Sequence, residues 1–205
     1  MPEISLIDYG LANMRSVANA IQYLGSSVEV VTTGRELKKG NRIILPGVGS
    51  FLSGMKGLKE REFIEPLNEL VLSKDIPVLG ICLGFQLMCS FSEEGNQEGL
   101  GWFDGSVLNF KKSKELNVPH IGWNEVNFNG QSRMFAGMDD IVNFYFVHSY
   151  HLPFTKNVEN YVAGSCKYGV NFVAALEKEN IMACQFHPEK SQLAGLKLIE
   201  NFLST

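Results

Sequence analysis

The feature that most constrains this chain is an apolar run over residues 76–81 that passes straight into Gly80-Ile81-Cys82-Leu83-Gly84. A run with no polar alternation predicts a strand covered on both faces, the environment of a parallel sheet. Other segments fit the same layer. Residues 4–7 stop at Asp8-Tyr9-Gly10, and Val17, Ala20, Ile21 and Leu24 then recur at helical spacing before Gly25. Strands are expected at 28–31 and 42–45, the second ended by Pro46-Gly47-Val48-Gly49, and a helix at 63–72.

Beyond Gly99 the texture changes. Segments 106–110, 142–147 and 171–176 are rich in Val, Phe and Tyr and predict antiparallel or mixed strands. The last segment is helical, with Leu193, Leu196, Ile199 and Leu203 as its apolar stripe. The expected fold is α/β: a doubly wound, mostly parallel central sheet with helices on both faces, and additional mixed or antiparallel strands in the second half. No repeat or linker divides the 205 residues, 45% of them apolar, so one domain over 1–205 is expected.

Charge and composition exclude several functions. A net charge of −4 without a basic block offers nothing to a phosphate backbone, so nucleic acid is not an expected partner. The uncharged stretch 76–91 falls short of the ~18 residues of a membrane span and contains Pro77, Gly80, Gly84 and Gln86. With no basic n-region before an apolar run at its start, the chain is expected in the cytoplasm, away from membranes. Cys82, Cys89, Cys166 and Cys184 form no Cys-x-x-Cys pair and no Cys/His cluster at zinc spacing, so free thiols, no metal and no cofactor are expected.

Cys89, Cys166 and Cys184 read as ordinary buried thiols. Cys82 differs. Glycines two positions to either side suit a nucleophile elbow, in which a sharp strand-to-helix turn lifts the central side chain above the sheet. A thiol there sits at a helix N-terminus, which favours thiolate, and the next amide, Leu83, is expected to point at an oxyanion formed on attack. A nucleophile needs a base. Gln185-Phe186-His187-Pro188-Glu189 supplies one together with its orienter, because Pro188 biases His187 toward extended backbone, where residues two apart share a side. Alone, the same segment also reads as a loop whose acid starts the last helix. The turn 46–49 offers a further amide, or merely ends a strand.

Taken together, Gly-Ile-Cys-Leu-Gly-Phe-Gln at 80–86, Pro-Gly-Val-Gly at 46–49 and Gln-Phe-His-Pro-Glu-Lys-Ser at 185–191 resemble the class I (triad) glutamine amidotransferases. Asp8-Tyr9-Gly10-Leu11-Ala12-Asn13, Ser92-Glu93-Glu94-Gly95, Pro119-His120-Ile121-Gly122-Trp123-Asn124 and Tyr145-Phe146-Val147-His148-Ser149-Tyr150 are similar to the glutaminase subunits of imidazole glycerol phosphate synthase, although Ala12 stands where glycine is usual there.

The resemblance implies Cys82 as nucleophile, His187 as acid/base and Glu189 as its orienter, with oxyanion donors around Val48, Gly49 and Leu83. It implies L-glutamine held by Gly47, Gln86, His148, Ser149 and Tyr150. It also implies a heterodimer in which Asn13, Trp123, Tyr145 and Lys190 face a (β/α)₈ synthase or cyclase. From the residues alone, Trp123 reads as core, His148 as a satisfied interior histidine and Lys190 as a solvated lysine. Alternatives are a paralogous subunit supplying ammonia for an amidino sugar, a thiol hydrolase or peptidase, and a non-catalytic regulatory subunit.

Overall fold

The computed structural model describes residues 3–37, 41–111, 116–128 and 132–205. Strand and helix alternate in the first half: β1 (Glu3–Ile7), α1 (Met14–Tyr23), β2 (Ser27–Val31), β3 (Arg42–Leu45), α2 (Phe51–Glu60), α3 (Ile64–Asn68), β4 (Val78–Ile81) and α4 (Leu83–Leu87). Strands dominate the second: β5 (Cys89–Ser92), β6 (Gln97–Glu98), β7 (Phe103–Asn109), β8 (His120–Phe128), β9 (Ile141–His148), β10 (Tyr150–His151), β11 (Val162–Tyr168), β12 (Val170–Lys178) and β13 (Ile181–Cys184), before α5 (Gln192–Leu203).

A nine-stranded sheet runs β2-β1-β3-β4-β13-β12-β11-β8-β9. From β2 to β13 the pairings are parallel, and from β13 to β9 antiparallel. Of the segments expected to be mixed or antiparallel strands, 142–147 (β9) and 171–176 (β12) extend the parallel layer, whereas 106–110 falls largely in β7, outside it. A smaller sheet, β10-β7-β5-β6, lies apart. Burial follows the sequence pattern: every residue of β4 and β13 is buried, whereas β8 and β9 alternate between buried and more exposed positions toward the sheet edge.

Apolar residues of α1 and α5 pack into one core, those of α2, α3 and α4 into another, so helices cover both faces. Side chains cap two of them: Asn13 Oδ1 accepts the Ser16 amide at 3.4 Å, and Ser50 Oγ the Ser53 amide at 3.2 Å. The helix expected at 63–72 is α3 continued by a π-helical turn, Glu69–Ser73. In α5 the stripe differs from expectation. Leu193 is 79% exposed, and the buried face is Gly195, Leu198, Ile199, Phe202 and Leu203. Gly195 packs on the Pro188 carbonyl, where a Cβ would collide, and this contact fixes the rotation of the helix. No helix among the described residues is long and apolar enough to cross a membrane.

The C-terminal ends of β1, β3, β4 and β13 open on one edge, as parallel strands must. The segments leaving them are 8–13, 46–49, 82 and 185–187.

Candidate functional site

Cys82 follows β4 directly, with φ 53° and ψ −104°, a strained conformation for a residue with a side chain. The expected role of the flanking glycines needs correcting. Neither has positive φ; the turn's strain is borne by Cys82 itself. Gly84 instead allows α4 to sit against the Leu45 carbonyl, and Gly80 leaves room for Met88 and the Phe85 amide. The Cys82 amide is tied to the Cys184 carbonyl at 2.8 Å, locking the elbow to β13.

The segment after β13 brings His187 to this elbow. Its Nδ1 lies 2.8 Å from Glu189 Oε1, with both side chains almost wholly buried. His187 is extended, but Pro188–Lys190 is a 3-10 turn, so the pair meets because the chain curls back and not through strand alternation; Glu189 lies ahead of α5 rather than in its first turn. Ser191 Oγ donates to the His187 carbonyl at 2.6 Å and accepts the Tyr145 amide at 3.0 Å, fastening the turn to β9. Nε2 of His187 faces the Cys82 sulfur too loosely for a full hydrogen bond, as is common before a substrate binds. Burial alone would lower the imidazole pKa; the charge on the Cys82 sulfur, joined by Glu189, outweighs it and raises the value to about 10.

Beside Cys82 opens a cavity of about 440 Å³ whose walls include Val48, Gly49, Leu83, Gln86, His148, Ser149 and Tyr150. Gly47 is not part of this wall; it lies against the Tyr9 hydroxyl and Leu83, where a Cβ has no space. Two of the three expected oxyanion amides are engaged elsewhere. Val48 N–H donates to the Leu11 carbonyl at 2.6 Å, and Leu83 N–H to the Gly47 carbonyl at 3.3 Å. His148 is interior and hydrogen-bonded, as its sequence context predicts.

A buried Cys-His-Glu set over a parallel sheet edge, beside a small cavity, suits thiol acyl transfer. The family model for class-I glutamine amidotransferases matches residues 5–205. The chain is a class-I glutamine amidotransferase. Imidazole glycerol phosphate synthase subunit HisH 1 of Campylobacter jejuni strain RM1221 is 46% identical to this amidotransferase over 201 residues, covering 98% of each chain. Subunit HisH of Leptospira interrogans is 43% identical, over 98% of this chain and 99% of that one. Among solved structures, PurLQS from Thermotoga maritima superposes with a TM-score of 0.72 at 19% identity, covering 99% and 98% of the two chains, a likeness of fold.

Three of the four residues expected to face a partner adjoin one another on the amidotransferase. The Trp123 and Tyr145 rings meet edge-on at 6.1 Å, and Lys190 Nζ lies 5.8 Å from the Tyr145 centroid. Trp123 is 48% exposed, which overturns its reading as core: it is on the face of β8 opposite His120 and Val126. Asn13, exposed, caps α1. Sequence reasoning gave no role to Glu94 or Gln185. Glu94 lines the cavity and accepts the Phe51 amide at 2.7 Å, while Gln185 Nε2 lies 3.7 Å from Cys82 Sγ. Both stand in segments quoted for the resemblance, but glutamate and glutamine are too common for type and spacing to single them out.

Proposed function

We propose that this amidotransferase hydrolyses L-glutamine to glutamate and ammonia as the glutaminase subunit of an imidazole glycerol phosphate synthase, in histidine biosynthesis. The observation that carries it is the burial of Cys82, His187 and Glu189 in one contact set beside a cavity with room for glutamine. The thiolate of Cys82 attacks the side-chain amide carbon and forms the C–S bond. His187 gives its proton to the departing nitrogen, the C–N bond breaks, and ammonia leaves. Water then attacks the thioester carbon and gives one proton to His187; the C–S bond breaks to return thiolate, and the new carboxyl releases its remaining proton to solvent to leave free glutamate. Glu189 orients the ring through Nδ1. Gln86, His148, Ser149 and Tyr150 hold the substrate, and Glu94 offers the negative charge that an α-ammonium group needs.

Two of the three candidate oxyanion amides, Val48 and Leu83, are spent on carbonyls, so the isolated chain is held in a slow state. Loss of one such donor typically costs ~10² to 10³ in rate. Rotation of the Gly47–Val48 peptide would free Val48 N–H and remove the Gly47 carbonyl from Leu83, leaving Val48, Gly49 and Leu83 around the oxyanion. Ammonia is useful only if delivered before water protonates it, which calls for a docked synthase of (β/α)₈ type in the cytoplasm. Asn13, Trp123, Tyr145 and Lys190 are its proposed contacts. Glutamate release in the presence of the synthase subunit, absent in Cys82→Ala, is the expected result; a Cys82→Ala complex as active as the native one overturns the reading.

A second reading has support from the relatives, which are named both HisH 1 and HisH 2, as organisms with two such subunits would require. The same glutaminase would then feed an amidino sugar, and turnover with that synthase alone would select it.

A further inference from the structure

A row of hydrogen-bonded side chains leads from β8 to the Cys82 sulfur, and its donors and acceptors can be assigned in one way. The Tyr150 carbonyl can only accept, so His148 Nδ1, 2.7 Å away, carries a hydrogen. The neutral ring then presents a lone pair at Nε2, to which His120 Nδ1 donates at 3.0 Å. His120 Nε2 is left as an acceptor and takes Asn124 Nδ2 at 3.2 Å, whose second hydrogen goes to the Lys167 carbonyl at 3.1 Å. Asn124 Oδ1 accepts the Glu125 amide at 2.9 Å, which fixes the carboxamide's orientation.

On the other side, Gln86 Nε2 donates both to the Tyr150 carbonyl at 3.2 Å and to Gln185 Oε1 at 2.9 Å. Gln185 Nε2 is thereby turned to Cys82 Sγ at 3.7 Å. The histidine pair is enclosed: the His120 ring stacks between Phe146 and Tyr168, with centroids 4.8 and 3.9 Å away. Burial keeps both rings neutral, lowering His148 to about 3 and His120 to about 4. A second proton on either ring would set N–H against N–H within the row.

We propose that His120 and Asn124 form a remote positioning relay that pins the Nε2 side of the His148 ring and, through the Tyr150 carbonyl and the Gln86 and Gln185 carboxamides, aims the Gln185 N–H at the Cys82 sulfur. Gln185 is then a catalytic residue that steadies the thiolate, and His120 a positioning residue acting through others. The relay deepens the glutaminase reading and rests on it for its purpose.

Its test does not require glutamine. In the full chain, the rate of Cys82 alkylation by iodoacetamide is followed by peptide mapping, and the His148 tautomer by long-range ¹H–¹⁵N NMR. His120→Leu removes the donor but retains apolar volume; alkylation at pH 7 is expected to slow about tenfold, since hydrogen bonds to charged groups are of that strength, and the His148 Nε2 ¹⁵N resonance to shift as it loses its donor while the Tyr150 carbonyl keeps the hydrogen on Nδ1. His120→Asn, whose Nδ2–H stands where the imidazole Nδ1–H stood, restores both. Gln185→Leu slows alkylation by about the same factor and leaves the His148 tautomer native. Asn124→Ala, at a half-buried position that tolerates change, slows alkylation in the same direction and shifts the His120 ¹⁵N resonances.

A native alkylation rate and a native His148 Nε2 resonance in His120→Leu overturn the relay, as does a native rate in Gln185→Leu. If His120→Leu does not fold, unchanged rate and resonances in Asn124→Ala overturn it equally. Absence of glutamine turnover with the synthase would defeat the glutaminase reading while these two readouts still judge the relay.

Discussion

Glu189→Gln preserves the volume beside His187 Nδ1 but removes the charge and admits an N–H where an acceptor stands. Glutamine turnover with the synthase is expected to fall by about 10² to 10⁴ in kcat, because the imidazole is then held in the wrong tautomer, while KM changes little. Steady-state assay checks this. Cys82, His187 and Glu189 could be picked out because nucleophile and base come from scarce residue types, but the local geometry expected for them was not the one found: Cys82 itself carries the strain of its turn, and a 3-10 turn brings Glu189 back to His187. The state of the Val48 and Leu83 amides was not legible. Which way a peptide unit faces is decided by the Leu11 and Gly47 carbonyls, and no residue type announces it. Gln185 escaped for a different reason: its amide matters only because β13 lies beside β4 and turns it toward the sulfur.

Among the elements, strands were easier to foresee than the last helix. Residues 78–81 are apolar throughout and prove buried on both faces, so pattern and environment agree. In α5 two leucine spacings compete, and the Gly195 contact with Pro188 chooses between them, a tertiary event that no helical wheel contains. Phe202→Ala should therefore cost about 3 to 5 kcal/mol and Leu193→Ala less than about 0.5, a contrast that urea unfolding of the two variants can measure. β8 shows what alternation achieves: one face carries His120 and Val126 inward, the other Ile121 and Trp123 outward. Trp123→Ala is expected to weaken binding to the synthase by about 1 to 2 kcal/mol while unfolding stability stays within about 0.5 kcal/mol, read by calorimetric titration and denaturation.

For the whole molecule, the buried imidazoles set opposing slopes of stability against pH. His120 and His148 titrate near 4 and 3 when folded, against 6.5 for an ordinary histidine, so their contribution is complete above about 6.5 and is lost as pH falls toward those lower values. His187 has the opposite sign, with stability present below about 6.5 and lost as pH rises toward 10. The melting temperature should decline from pH 6.5 to 4, and His120→Asn should flatten that decline; an unchanged acid limb in the variant would contradict it. Because β13 fills the gap between β4 and β12, the sulfur and its imidazole partner come together only once residues 181–187 have joined the sheet. A fragment that stops short of β13 leaves a bare edge on β4 and lacks the imidazole, so the elbow thiol alone has no proton donor.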